Sequence, residues 1–312
     1  MPSVEVNGGR VVYEILGDAA SSGDAASSGD AASSGDAAGS GGAADVVVLT
    51  PGGRFGMDVP GLRPLAEAIA AGGYSVLLWD RPNCGASDVQ FYGQTESHMR
   101  AETLNALLDA LGIESCVLAG GSGGARDSML TTILYPERVT GLVLWNIVGG
   151  IYGTINLAAV YVLPSLQAVR AGGTALLPRV REWRERIEAN PANEQRLLDL
   201  DSDEFVKLSL RWLNAYVPKP GQTIPGVDDE LFDRIRVPTL IIRGGENDLD
   251  HPKRTALEVS CLIKGSTVID PPWPEDAWER AMRDRASGKV QHNNLFDTWV
   301  QAAPAILKFL DG

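Results

Sequence analysis

Short apolar runs alternate with segments whose apolar residues recur at three and four positions, and this rhythm governs most of the chain. The runs are 45–49, 74–79, 116–119, 142–147, 237–242 and 266–269, each too short for a helix and bounded by polar or glycine-rich stretches. Between them, Leu62, Leu65, Ala66 and Ile69 share one helical face, as do Leu104, Leu107, Leu108 and Leu111. Met129, Leu130, Ile133 and Leu134 do so again, and Trp299, Ala302, Ala303, Ile306 and Leu307 predict a closing helix. Val4, Val6, Val11, Val12, Tyr13 and Ile15 flank Asn7-Gly8-Gly9, a tight-turn sequence, and predict a leading hairpin over 3–16. Strands alternating with amphipathic helices call for a parallel sheet covered on both faces. The fold class expected is therefore α/β, a doubly wound and mostly parallel eight-stranded sheet.

The rhythm fails twice. Residues 148–231 contain no strand-like run; Leu176, Val180, Trp183 and Ile187 suggest one helical face, and Phe205, Leu208 and Trp212 another. An inserted helical cap over 148–231 is expected, leaving a core of 1–147 and 232–312. The second interruption is a six-residue repeat, Gly-Asp-Ala-Ala-Ser-Ser from Gly17, Gly23 and Gly29, with a variant copy from Gly35. Gly-Asp periodicity also occurs in calcium-binding solenoids, but those carry a large apolar residue per repeat, and here there is only alanine. Residues 17–44 are expected as a flexible loop between two strands, where added length costs little entropy.

The chemistry centres on Gly120-Gly121-Ser122-Gly123-Gly124, which joins an apolar run to a helical segment. A serine on so tight a strand-to-helix turn needs small neighbours, and the turn lifts its hydroxyl to the positive end of the new helix. The glycines also leave little bulk around the hydroxyl, which suggests a roomy approach from the cap. Ser122 as nucleophile requires an acid and a base. Asp248, just after the run 237–242, lies at the rim where the elbow is expected; Asp250 and Glu246 are its rivals. Of the three histidines, His98 begins a helix far upstream, and His251 lies only three positions after Asp248, too near to bridge that acid to Ser122 easily. His292, between the last strand and the last helix, is the expected base, with His251 as the rival. The order Ser122, Asp248, His292 suits a doubly wound hydrolase sheet. The oxyanion hole should take its N–H groups from Gly123 and from the glycine-rich loop after the run 45–49, at Gly53 or Arg54. Arg54 and Trp145 are candidate substrate contacts.

Composition removes several alternatives. Lys and Arg number 27 against 40 for Asp and Glu, a net charge of −13, which would repel nucleic-acid phosphates. Three scattered cysteines (Cys84, Cys116, Cys261) outline neither a disulfide framework nor a zinc site and suit a reducing compartment. The N-terminus has neither the basic nor the apolar segment of a secretory signal, so a cytoplasmic location is expected. Residues 139–167 carry no charge, but glycines, asparagines and Pro164 interrupt them, so a buried strand running into the cap is expected rather than a membrane span. No metal and no cofactor is expected. The partner is a small-molecule substrate, and the sequence is compatible with a homo-oligomer.

Three motifs carry a resemblance: the elbow 120–124, the turn Asp80-Arg81-Pro82-Asn83-Cys84-Gly85-Ala86-Ser87, and Gly245-Glu246-Asn247-Asp248. Together they resemble the α/β-hydrolase fold superfamily, in the serine-nucleophile branch with a helical cap after the sixth strand, over most of 45–312. The chain departs from that pattern in three places. Pro51-Gly52 stands where His-Gly is usual, and Arg54 is unusual in that loop and could hold a substrate carboxylate or phosphate. The 44 positions from Asp248 to His292 exceed the usual spacing of roughly thirty, and the extra length, Pro271 to Lys289, suggests an additional helix near the site. The resemblance implies hydrolysis of an ester, thioester or lactone through an acyl-enzyme. Serine rather than aspartate at the elbow disfavours epoxide opening and halide displacement. A carbon–carbon bond hydrolase of the meta-cleavage type is the alternative; a perhydrolase and a non-catalytic binding protein are more remote.

Overall fold

The computed structural model describes residues 1–17, 46–290 and 294–312, so the repeat from 18 onward and His292 lie outside the described residues. In chain order the elements are β1 (Ser3–Val6), β2 (Gly9–Leu16), β3 (Val46–Thr50), α1 (Leu62–Ala71), β4 (Ser75–Trp79), α2 (Glu96–Ala110), β5 (Cys116–Gly121), α3 (Gly123–Leu134) and β6 (Val139–Trp145). There follow α4 (Gly150–Tyr161), α5 (Leu163–Gly172), α6 (Arg181–Ala189), α7 (Ala192–Leu198) and α8 (Ser202–Ala215). The chain then makes β7 (Thr239–Ile242), α9 (Lys253–Leu262), β8 (Thr267–Ile269), α10 (Ala277–Ala286) and α11 (Ala303–Leu310).

One eight-stranded sheet runs β1-β2-β4-β3-β5-β6-β7-β8. The leading hairpin joins it antiparallel to β4, and the remaining pairs are parallel. Strand side chains alternate between the two faces, so each apolar run feeds two cores. Val48, Leu77, Leu118, Leu144 and Ile241 pack with α2, α3 and α9 on one face; Val47, Leu49, Val76, Leu78, Val143 and Ile242 pack with α1 and α11 on the other. Leu62, Leu65, Ala66 and Ile69 of α1 are fully buried, as their spacing required. Burying each of those leucines contributes about 1.5–3 kcal/mol, so a charge at Leu65 would unseat α1.

Register brings the functional strand ends together. Thr50 lies opposite Gly120, Gly121 opposite Trp145, and Trp145 opposite Ile242, so the loops after β3, β5, β6 and β7 meet on one rim. Above that rim sit α4 to α8; Val169, Leu177, Trp183, Leu197 and Phe205 from this segment cluster with Val89 from the segment before α2. The single face expected for Leu176, Val180, Trp183 and Ile187 does not form. Residues 174–179 make a 3-10 turn containing Pro178, Val180 is extended (φ −70°, ψ 130°), and α6 begins only at Arg181. Pro178 has no N–H to donate and clashes with a continuing helix, so the repeat pattern is cut there. The uncharged stretch 139–167 divides into β6, a loop, α4 and the start of α5; among the described residues no helix is long and apolar enough to cross a membrane.

Candidate active site

Ser122 sits between the last residue of β5 and the first of α3 with φ 55° and ψ −122°, a conformation that costs a β-carbon-bearing residue energy and that surrounding contacts must enforce. Its N–H donates to the Trp145 carbonyl at 3.0 Å, which ties the turn to β6. The neighbouring glycines have a reason other than an open approach. A β-carbon at Gly121 would run into the Trp145 indole, and one at Gly123 would lie 3.1 Å from the Gly53 nitrogen. They let the elbow close onto the core and onto the β3 loop, so the roomy-approach expectation gives way to a packing one. Trp145 itself is fully buried, edge-on to Trp299 with centroids 5.2 Å apart, and forms the floor beneath the elbow rather than a wall of the cavity.

Asp248 and His251 come from the loop after β7. Asp248 Oδ1 accepts the backbone N–H groups of Asp250 (3.0 Å) and His251 (2.8 Å), folding 248–251 into a tight turn. Its other oxygen, Oδ2, lies 3.0 Å from His251 Nδ1, and His251 Nε2 lies 2.9 Å from Ser122 Oγ. All three side chains are almost wholly buried. The expectation that His251 stands too close to Asp248 to bridge it to the serine is therefore corrected. Because the Asp248 carboxylate turns back over its own loop, three residues suffice. Ser122 and Asp248 are brought together as anticipated, with His251 between them, while His292 lies outside the described residues.

The loop after β3 packs directly on Ser122: a β-carbon at Gly52 would sit 2.9 Å from Ser122 Cβ, and one at Gly53 (φ 49°) 2.5 Å from the Tyr161 hydroxyl. Arg81, fully buried, organises this loop. Its Nη2 donates to the carbonyls of Gly52 (3.1 Å), Gly53 (2.9 Å) and Phe55 (3.2 Å), while Nη1 donates to Asp127 of α3 at 2.8 Å. Asp80, its neighbour, accepts the N–H groups of Met57 and Ala86, each at 2.7 Å. Burial pushes the Asp80 carboxyl upward against those two bonds. Neither role was visible in the sequence, although the 80–87 motif marked the segment.

Arg54 is buried and engaged on both sides. Its Nε lies 3.0 Å from Glu96 Oε1, its Nη1 pairs with Glu182 of α6, and its guanidinium lies 5.1 Å from the ring centroids of Tyr161 and Trp183. Burial alone would raise the Glu96 carboxyl; Arg100 and Arg54 beside it outweigh that and hold it down at about 2. Arg54 thus fastens the insertion to the core and does not line the cavity over Ser122.

That cavity, about 270 Å³, lies over Ser122 and His251 between Phe55 and Phe296 of the core, Leu157 and Tyr161 of α4, and Trp278 and Met282 of α10. The helix expected from the long 248–292 spacing is thus present and forms one wall. A second chamber of about 380 Å³ adjoins it, sharing Phe55, Val160, Tyr161 and Arg285; Arg54, Arg181, Glu182, Glu185 and Arg186 also line it. The buried Ser122 hydroxyl, hydrogen-bonded to His251 and through it to Asp248, makes an arrangement suited to nucleophilic attack on a carbonyl carbon.

An eight-stranded sheet carrying such an elbow defines a hydrolase of the doubly wound class. The chain belongs to the alpha/beta hydrolase family, whose profile matches residues 47–305. A 2-hydroxy-6-oxononadienedioate/2-hydroxy-6-oxononatrienedioate hydrolase of Klebsiella pneumoniae subsp. pneumoniae is 29% identical over 217 residues, covering 66% of this chain and 69% of that protein. Other hydrolases of that description match over 27% to 30% of their own length. Two solved structures share the fold. They are the enol-lactonase of Burkholderia xenovorans LB400 (TM-score 0.57, 18% identity, 100% of each chain) and an esterase of Rhodococcus sp. ECU1013 (TM-score 0.58, 19% identity, 99% of this chain and 98% of that one).

Proposed function

We propose that this protein is a serine hydrolase of a small acyl substrate, with Ser122 as nucleophile, His251 as base and Asp248 as the acid that orients it. The observation that carries the assignment is the relay Ser122 Oγ to His251 Nε2 at 2.9 Å and His251 Nδ1 to Asp248 Oδ2 at 3.0 Å. His251 takes the hydroxyl proton as Ser122 Oγ bonds to the substrate carbonyl carbon. The backbone N–H groups of Gly123 and Gly53 receive the developing oxyanion. Collapse expels the leaving group, which takes the proton from His251 and leaves an acyl-enzyme. Water, deprotonated by the same imidazole, then releases the acid and restores Ser122. Asp248 stays ionised throughout, holding the tautomer that presents Nε2 to the serine.

An ester, thioester or lactone is the favoured bond. Carbon–carbon cleavage is the second reading, supported by the names of the relatives and by the cations of the adjoining chamber. Arg54 is engaged by Glu96 and Glu182, and Arg186 by the carbonyls of Asn83 and Arg54, so a substrate carboxylate would have to displace one of these contacts. A fluorophosphonate probe tests the nucleophile: wild type should be labelled and Ser122→Ala should not, and a folded wild type that stays unlabelled sinks the proposal. Activity should vanish in His251→Ala and survive in His292→Ala; the opposite result returns the base to His292. Turnover of p-nitrophenyl esters against ring-cleavage dienoates then separates the two bonds.

A further inference from the structure

One side chain beside the relay lines the same cavity and joins the two helices that flank it. Asp250 Oδ1 accepts from the Asn156 amide of α4 at 3.1 Å, and Oδ2 accepts from the Trp278 indole N–H of α10 at 2.9 Å. Its own N–H donates to Asp248 at 3.0 Å. Helix α4 comes this close because Gly153 has no side chain: a β-carbon there would lie 2.8 Å from the Asp250 carbonyl oxygen. The indole that Asp250 fixes stands perpendicular to the His251 imidazole, at 83° with ring centroids 4.4 Å apart.

Taking His251 as the base proposed above, we infer that Asp250 and Trp278 are positioning residues that hold the imidazole in line with Ser122, and that they do so only while α4 and α10 are docked. The hydrogen bonds to Asp248 and Ser122 fix the two ends of the ring, but the torsion that sets its plane is soft and broadly populated. A flat wall standing against the ring removes that freedom. Asp250 in turn fixes the wall by a charge-assisted bond, which is about twice as strong as a neutral one. The same carboxylate holds Asn156, so withdrawal of α4 would loosen the indole and with it the base. Among the described residues, Asp248 and Asp250 from its own loop and Glu279 from α10 surround the ring, and Arg285 of α10 lines the same cavity; α4 faces it with Asn156 and the elbow with Ser122, neither of them charged. Ring position, rather than one dominant charge, is thus what Asp250 supplies.

The test compares Asp250→Ala, Asp250→Asn, Trp278→Phe and the double variant Asp250→Ala/Trp278→Phe, with p-nitrophenyl butyrate as probe and thermal midpoints to confirm folding. Misplacing a catalytic group by about 1 Å costs on the order of 100-fold. Asp250→Ala and Trp278→Phe should each lower kcat by roughly 10- to 100-fold with KM within about threefold, the pattern of an interaction felt in the transition state. The double variant should lose little more than either single one, because both cut the same bond. Asp250→Asn can still accept from the indole while its amide donates to a reoriented Asn156, and should keep kcat within about threefold of wild type.

A rise in KM at constant kcat would make Asp250 a substrate contact and overturn the inference, as would a loss in Asp250→Asn equal to that in Asp250→Ala. His251→Ala separates the two levels. Full activity there would remove the base assignment and the clamp with it. Inactivity there, beside unchanged kcat in Asp250→Ala, would remove the clamp alone.

Discussion

Replacing Glu96 by Gln perturbs the joint between the insertion and the sheet while barely changing its shape. Glu96 lies in a buried charge cluster: it pairs with Arg54 and Arg100 and accepts from the Asn83 amide at 3.1 Å. Arg100 and Arg81 also share Asp127, and Arg54 also reaches Glu182. Gln keeps the oxygen for Asn83 and removes the charge that two guanidinium groups depend on. Two routes give its worth. Leaving a buried ion without its partner costs about 3–5 kcal/mol. The descent of the Glu96 carboxyl from 4.5 to about 2 corresponds to about 3 kcal/mol at 1.36 kcal/mol per unit.

The sign follows from the direction. The carboxyl titrates lower in the folded protein than in the unfolded one, so its contribution is complete above about 4.5 and drains away as the pH falls toward about 2. Urea unfolding followed by tryptophan fluorescence should therefore place Glu96→Gln about 3 kcal/mol below wild type at pH 7. That gap corresponds to a midpoint drop of roughly 6–10 °C on heating, and it should shrink to about 1 kcal/mol by pH 3. The wild type should move toward the variant, rather than the variant toward the wild type. Equal gaps at both pH values, or no gap at neutrality, would refute the assignment of a deeply ionised Glu96.

Further consequences follow from single positions. Arg81→Met should lower kcat by roughly 100-fold with little change in KM, since loss of its bonds to three carbonyls would release the β3 loop and the oxyanion donor proposed there; esterase kinetics on the folded variant would show it, and an unchanged kcat would deny Arg81 that role. Gly121→Ala should cost activity and at least several degrees of midpoint, because a methyl group there overlaps the Trp145 indole; a stable, active variant would mean the elbow can shift. Ellman's reagent should modify one thiol quickly in the native protein. Cys261 is exposed, whereas Cys84 and Cys116 are buried and burial pushes the Cys116 thiol up to about 12; two fast thiols would contradict that burial.

The sheet and the elbow were legible in the sequence because their determinants are local. Apolar runs of strand length, helical faces such as Leu62 to Ile69, and a serine between glycines all report on neighbours a few positions away. Asp248 was legible for the same reason, as the carboxylate at the end of a strand. His251 was not, because its reach depends on how Asp248 folds the loop back on itself, and spacing alone describes an extended chain. Arg54 looked available for a substrate because its partners, Glu96 and Glu182, are brought in from the second helix and from the insertion. Trp145 looked like a wall of the site because it ends a strand at the rim; only the alternation of strand faces against Trp299 reveals it as floor.

Asp248 and His251, the proposed acid and base, share one turn of four residues, and this has a mechanical outcome. Their mutual distance is set by short-range bonds within 248–251, so tertiary distortion reaches them as displacement of a single rigid piece. Alignment with Ser122 then depends on how β7 sits relative to β5 through the strand between them and on the contacts that Asp250 and Trp278 make with α4 and α10. Substitutions in the chamber lining away from Asn156, Asp250 and Trp278 can therefore reshape the substrate space while that alignment stays untouched. A site built this way can acquire new substrates without reassembling its proton relay.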